Sequence, residues 1–209
     1  MNNLFTKVAL AASITALSLT SSAVIAETAN AVASVQVQNS FDFEVGDPMN
    51  FGIVRVTNGG DAADFASVVL PALAGSNPTY IATAGTTNTD AEISVLDSTD
   101  FAPATFTISG ASNFTDILIQ SVTDVDMTTQ DSAPGGPGFT LSDFTYYVVA
   151  GSNTADTGSI DGSTSTVTTD IDGTATFSVG ATLTTDKTVF TEYGDVSYTG
   201  DVAVTVEYQ

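Results

Sequence analysis

The chain contains no cysteine, no histidine and no tryptophan, and its lysines and arginines together number 3 in 209 residues. Each absence removes a class of chemistry. Without cysteine there is no disulfide and no thiol nucleophile, so a folded domain must be held by its core alone. Without histidine the usual general base and the commonest zinc ligand are missing, and neither a Ser-His-Asp nor a Cys-His nucleophile can be assembled. Carboxylate-only catalysis, as in glycosidases, stays formally open, but the tryptophan platform common in sugar clefts is absent. The sequence therefore reads as that of a non-enzyme without a resident cofactor.

Positive charge is almost as scarce. Against 3 cations stand 24 acids, every one of them after residue 26. Lys7 lies in the leading segment, which leaves Arg55 and Lys187 for the rest of the chain. Such a field repels phosphate backbones and anionic headgroups, which excludes nucleic acid as a partner. The acidity suits solubility first, and divalent-cation binding or bridging second. High net charge also favours disorder, yet 43% of the residues are hydrophobic, and they recur with period two.

Met1 to Ala26 has the layout of a secretory signal peptide: Lys7 as a short positive region, an uncharged apolar stretch from Val8 to Ile25, and small or aliphatic Val24-Ile25-Ala26 at the cleavage end. Cleavage is expected between residues 26 and 31. An N-terminal membrane anchor is the alternative, but the apolar stretch is broken by Ser and Thr and is short for a span of about 20 residues. The expected route is general secretion, through a periplasm to the cell surface or beyond, with no membrane insertion after cleavage.

The segment that follows alternates. From residue 29 to 45, Ala29, Ala31, Ala33, Val35, Val37, Phe41, Phe43 and Val45 take the odd positions, with Asn39 the exception, and polar side chains take most even ones. Period two marks a strand with one buried face. At about 3.3 Å per residue this run would reach about 56 Å, whereas strands usually run to about 3–10 residues. A strand too long for its own domain suggests pairing outside it. The Phe41 and Phe43 half leads into MNFGIV and is expected to join the chain's own core. The Ala29 to Val37 half is the part expected to reach another copy.

Further strands are expected at 49–57, 67–70, 79–83, 91–96, 104–109, 116–122, 139–150, 174–185 and 196–208, rich in Val, Ile, Thr, Phe and Tyr. Residues 151–173 read as a polar loop or weak hairpin, and the best helical candidate is a short turn near Ala62 to Val69. Short strands with Gly, Pro and Asp turns and no intervening helices indicate one all-β domain, an immunoglobulin-like or pilin-like β-sandwich. The organisation expected is a signal peptide over 1–26, an N-terminal extension or donor strand over 27–40, and the sandwich over 41–209. A transmembrane barrel is the competing architecture, but evenly spaced strands of about 10 residues with aromatic girdles are missing.

Four segments taken together, MNFGIV at 49–54, PATFTISG at 103–110, GTATFSVGATLTT at 173–185 and YTGDVAVTVEY at 198–208, resemble secreted bacterial proteins of the domain of unknown function 4402. The resemblance covers the chain from about residue 30 onward. Val179 to Leu183 departs from the family pattern in carrying Ala181 where a second glycine is usual. The resemblance implies an exported all-β domain and implies no catalytic residues.

The last segment, with Val202, Val204, Val206 and penultimate Tyr208 in alternation, is also similar to the ends of chaperone-assembled pilus subunits. In those proteins a periplasmic chaperone grips the final strand, and an N-terminal extension completes the neighbour's sheet. By that analogy Ala31, Ala33, Val35 and Val37 are the donor-strand residues, and a periplasmic chaperone is a candidate partner. The plainer reading makes both termini ordinary strands of one closed sandwich.

Closely spaced carboxylates form the metal candidates: Asp124, Asp126 and Asp131 in DVDMTTQD, and Asp170 and Asp172 in DIDG, with Asp156 and Asp161 nearby. Ca²⁺ is the ion such a set would take, although no EF-hand spacing is present, and solvated turn carboxylates are the favoured reading of the pattern. Tyr146, Tyr147, Tyr193 and Tyr198 could stack on sugars; adjacent strand residues face opposite ways, so Tyr146 and Tyr147 cannot both be core. Two functions follow. One is an exported structural subunit that self-associates into an extracellular fibre or matrix by strand complementation. The other is a monomeric secreted module binding calcium or a glycan.

Overall fold

The structure is a computed structural model, and it describes residues 32–35, 40–59, 64–83, 91–129, 136–186 and 192–209. The chain divides into two units, residues 1–37 and residues 38–209. Of the first unit only 32–35 are described; they form no strand and are exposed.

The second unit is all-β among its described residues. Thirteen strands are present: β1 Asp42–Val45, β2 Ile53–Thr57, β3 Phe65–Leu70, β4 Thr79–Thr83, β5 Glu92–Asp97, β6 Ala104–Ser109, β7 Asp116–Ile119, β8 Val125–Met127, β9 Phe139–Ala150, β10 Thr157–Ser159, β11 Thr166–Thr168, β12 Ala175–Thr185 and β13 Val206–Tyr208. All pair antiparallel, in an eight-stranded sheet with the path β1-β6-β12-β3-β4 and β9 joined to β12, a three-stranded sheet β11-β7-β13, and a ribbon of β2 and β5. Their inner faces share one core, a β-sandwich, with Phe106, Ile108, Phe177 and Val179 from the large sheet, Ile117, Ile119 and Val167 from the second, and Ile93 from the ribbon.

β12 organises the large sheet. One of its edges carries β9 along almost its whole length; the other carries β6 beside Ala175–Val179 and then β3 beside Ala181–Thr184. Gly180 stands at the hand-over, where a Cβ would run into the Leu70 carbonyl and lie 2.5 Å from the Ala72 nitrogen. The odd residues Ala175, Phe177, Val179, Ala181 and Leu183 are buried as their alternation predicts. Ser178, Gly180 and Thr182 are buried as well. The chain leaving β3 covers that second face, and the Ser178 hydroxyl donates to the Ala72 carbonyl there.

β9 changes phase midway. Phe139 and Leu141 point inward, then Phe144, Tyr146 and Val148. An irregularity in the pairing with β12 falls between, beside Gly180 and Thr182, and Asp143 takes the left-handed φ of 49° there. One extra residue in a ladder flips every later side chain to the other face.

Phe41 and Phe43 of the latter half of the long alternating run pack on this core, whereas Val45, in the same odd row, is exposed. The Phe43 ring stacks on Phe106 at 5.5 Å and on Phe177 at 6.1 Å, and those two stack at 5.4 Å. Such ring pairs add about 0.5–1.5 kcal/mol to the burial itself. The expectation of one continuous strand over 29–45 does not hold: among the described residues of that run only Asp42–Val45 ladder, and residues 32–35 have no strand conformation. A strand needs a neighbour for its backbone groups, and β6 offers partners only to Asp42–Val45. The helical turn near Ala62 to Val69 is also corrected: Phe65–Leu70 is strand, held between β12 and β4. Residues 151–173 do contain two short strands, but β10 pairs with β9 and β11 with β7 rather than with each other.

Candidate functional site

The donor-strand candidates lie at the front of the chain. Ala33 and Val35 are exposed, Val35 to 87% and its neighbour Val32 to 96%. Ala31 and Val37 lie outside the described residues.

The C-terminal segment is part of the chain's own sandwich. Val202, Val204, Val206 and Tyr208 are half-buried and pack on the core, while the residues between them are exposed. The ladder is shorter than the alternation predicts. Only Val206–Tyr208 runs beside β7; before it, Thr205 accepts a bond from Gln120 at 2.9 Å and Thr199 bridges Thr128. The segment passes from β8 to β7, so no single strand accompanies it throughout. Val196, expected in the same inward row, is exposed. Tyr208 sets its ring edge-on against Phe41 at 5.1 Å, closing the seam beside β1. Its hydroxyl is buried there without a hydrogen-bond partner.

The acids of the metal candidates are spread apart. Among the described residues no three carboxylates gather in a way that could hold an ion. Asp124 and Asp126 are exposed beside and on β8, Asp126 accepting a bond from Thr140; Asp131 lies outside the described residues. Asp170 is spent on its own turn. It accepts the backbone N–H groups of Asp172 and Thr174 and the Thr174 hydroxyl, all at 2.9 Å, while Gly173 supplies the left-handed φ of 71° that the turn requires. Asp161 does the same for Ser163 and Thr164, and Asp97 for Thr99. Donated hydrogen bonds favour the charged form. The bonds from Thr174 hold Asp170, those from Thr164 and Ser163 hold Asp161, and those from Thr99 hold Asp97, below the ordinary aspartate range. These carboxylates are side-chain acceptors that build Asx-type turns.

The tyrosines divide in the way adjacent strand positions require: Tyr146 is buried and Tyr147 is half-buried. Tyr193 and Tyr198 pack on Phe139 at 4.7 and 4.9 Å and on each other at 5.8 Å. The Tyr193 hydroxyl donates to the Gly138 carbonyl and accepts the Asp186 N–H, and burial pushes its pKa up to about 12. These two rings are fasteners between the last segment and the start of β9.

One feature escaped the sequence reading. Where β4 and β5 part to join different sheets, a cleft of about 400 Å³ opens, lined by Ala66, Tyr80, Ile81, Glu92, Ile93 and Ser94. Ala66 and Ile93 are buried; Tyr80 and Ile81 are 49% and 48% exposed. The Ser94 hydroxyl is buried without a hydrogen-bond partner, and the Val95 N–H reaches the Tyr80 hydroxyl only at 3.4 Å. The sequence marks this stretch only by lacking charge from Phe65 to Thr89; nothing local says that β4 and β5 enter different sheets.

Antiparallel sheets with aromatic stacking at their shared core and acids committed to turns define an all-β sandwich domain. Residues 54–208 match the family described as Domain of unknown function (DUF4402), and the chain belongs to that family. No curated protein and no solved structure gives a significant match.

Proposed function

We propose that this protein is an exported structural subunit that assembles with copies of itself into an extracellular fibre or matrix by β-strand addition. The observation that carries the reading is the exposure of residues 32–35 within the alternating sequence ahead of the domain, with Val32 96% and Val35 87% in solvent, while Phe41 and Phe43 pack on the core. The signal-like first 26 residues support export, and the absence of cysteine and histidine supports a role without catalysis. In such an assembly affinity comes from main-chain hydrogen bonds along a strand edge and specificity from alternate side chains. A periplasmic chaperone that holds the C-terminal strand in transit belongs to the same reading.

Electron microscopy of the mature protein, with and without residues 27–40, is the test. The full mature chain should form polymers, and the shortened chain should be a folded monomer with an unchanged circular dichroism spectrum. Polymers from the shortened chain, or a monodisperse monomer from the full one, would refute the proposal; in the second case the monomeric binding module for calcium or a glycan takes its place.

A further inference from the structure

We infer that the cleft between β4 and β5 is the acceptor site, and that its occupant is residues 29–37 of a second copy, added as a strand along β4. This rests on the assembly reading above and specifies its contact. Among the described residues β4 ladders only with β3, and β5 only with β2, so each presents an unpartnered edge, and the cleft lies between them. An open edge without charge or bulge is a template for another strand.

Charge selects this edge over the others. Among the described edge strands longer than three residues, β1 carries Asp42 and Glu44, β2 carries Arg55, β5 carries Glu92 and Asp97, and β4 alone, TYIAT, carries none. The remaining described edges are only three residues long: β8 and β13 carry Asp126 and Glu207, and β10 and β11 are uncharged, so length and charge together select β4. The incoming segment is matched to it, since no charged residue occurs from Thr28 to Phe41. Two copies of a chain with 24 acids repel over about a Debye length, 8–10 Å in ordinary salt. Close contact then costs least where the two paired strands lack carboxylates, as β4 and the incoming segment do; the one carboxylate among the cleft-lining residues, Glu92 of β5, then faces an uncharged strand.

Shape and hydrogen bonding agree. Residues 29–37 extended would span about 30 Å and β4 about 17 Å, so the segment covers the edge with length to spare. Ala31, Ala33, Val35 and Val37 present small side chains on one face, suited to a floor of Ala66 and Ile93 with half-exposed Tyr80 and Ile81 beside it. A strand laid there also brings backbone carbonyls to a region where the Ser94 hydroxyl has no partner.

The absence of cysteine makes a clean test. Ile81→Cys is combined with Ala33→Cys or Val35→Cys in the full mature chain, which is then oxidised and run on a non-reducing gel. Directly paired strand residues lie within disulfide reach. The expected result is a series of covalent multimers, at least tenfold more abundant than when the same N-terminal cysteines are combined with Val45→Cys on β1 or Glu207→Cys on β13, and collapsed by reductant. Ile81→Lys in an otherwise unaltered chain should abolish polymers and leave the circular dichroism spectrum unchanged. Multimers through β1 or β13 overturn this site and leave assembly standing. A disulfide at monomer mass overturns exchange, because the segment then fills its own cleft. Polymers seen by microscopy without cross-links through Ile81 also overturn the site, whereas neither polymers nor cross-links sinks both readings.

Discussion

Gly180→Ala is the sharpest test of how the large sheet is built. The new methyl would collide with the Leu70 carbonyl oxygen and lie 2.5 Å from the Ala72 nitrogen and 2.7 Å from the Pro71 carbonyl carbon. All three are backbone atoms, so no side chain can turn aside, and either β3 or β12 must move. Overpacking of this kind costs about 1–3 kcal/mol, and a rigid obstacle places it near the upper end. Replacing glycine by alanine in a strand returns about 0.5–1 kcal/mol of chain entropy, which leaves a net loss of about 2 kcal/mol. For a domain of this size that is a fall of about 4–8 °C in Tm. Two controls separate sterics from conformation. Gly194→Ala meets nothing nearer than Val196 at 3.7 Å and should change stability by less than about 0.5 kcal/mol. Gly75→Ala has open space but a φ of +77°, so it should lose about 1–2 kcal/mol through the left-handed backbone alone. Urea unfolding with a common m-value gives all three. If Gly180→Ala falls within 0.5 kcal/mol of the parent, the hand-over from β6 to β3 is not as tight as the structure has it, and the reasoning is wrong.

Tyr208→Phe removes a buried hydroxyl that has no partner and keeps the ring that meets Phe41. It should be neutral or up to about 1 kcal/mol stabilising, because an unsatisfied buried group costs free energy; a loss beyond 1 kcal/mol in urea unfolding would mean that the hydroxyl is satisfied. Asp161 and Asp170 titrate below their ordinary value in the folded state, so their contribution is fully present above the unfolded value of about 3.9 and is lost as pH falls through the lower folded values. The stability difference between the parent and an Asp161→Ala, Asp170→Ala double variant should therefore be constant above about pH 5 and shrink on acidification. Unfolding curves from pH 6 to 2 check this, and a gap that widens toward pH 2 contradicts the turn assignment.

Alternation made much of the sandwich legible before any coordinates. Thr79–Thr83, Ala104–Ser109 and Phe139–Ala150 form strands with the bounds that their pattern predicts; the last two set Ala104, Phe106 and Ile108, and Phe139, Leu141, Phe144, Tyr146 and Val148, against one shared interior. The failures have physical causes. Period two within a strand says nothing about its partner, so β10 and β11 could be seen as a weak pair although each joins a different strand. The burial of Ser178 and Gly180 comes from the chain after β3 lying across β12, a tertiary event that no local pattern encodes. The same limit hid the cleft, which exists because β4 and β5, successive in the chain, enter different sheets. Carboxylate clustering in DIDG suggested an ion, yet in the structure Asp170 is occupied by the N–H groups of its own turn. The residue types that bind Ca²⁺ and those that cap an Asx turn are the same, and spacing alone does not separate them.

The distribution of charge ties the stable domain to the proposed contact. Asp97, Asp161 and Asp170 hold turns, and Asp42, Glu44 and Glu207 stand outward on β1 and β13, where they discourage pairing at the seam that Phe41 and Tyr208 close. The cost of that arrangement is mutual repulsion between copies, which rises with every added carboxylate. A chain selected only for solubility would have no reason to spare β3, β4 and the segment from Thr28 to Phe41, since edges are ordinarily protected by charge. Their lack of charge leaves β4 as the one uncharged edge among the described edge strands longer than three residues, and in the proposed assembly it matches that edge to the uncharged sequence from Thr28 to Phe41.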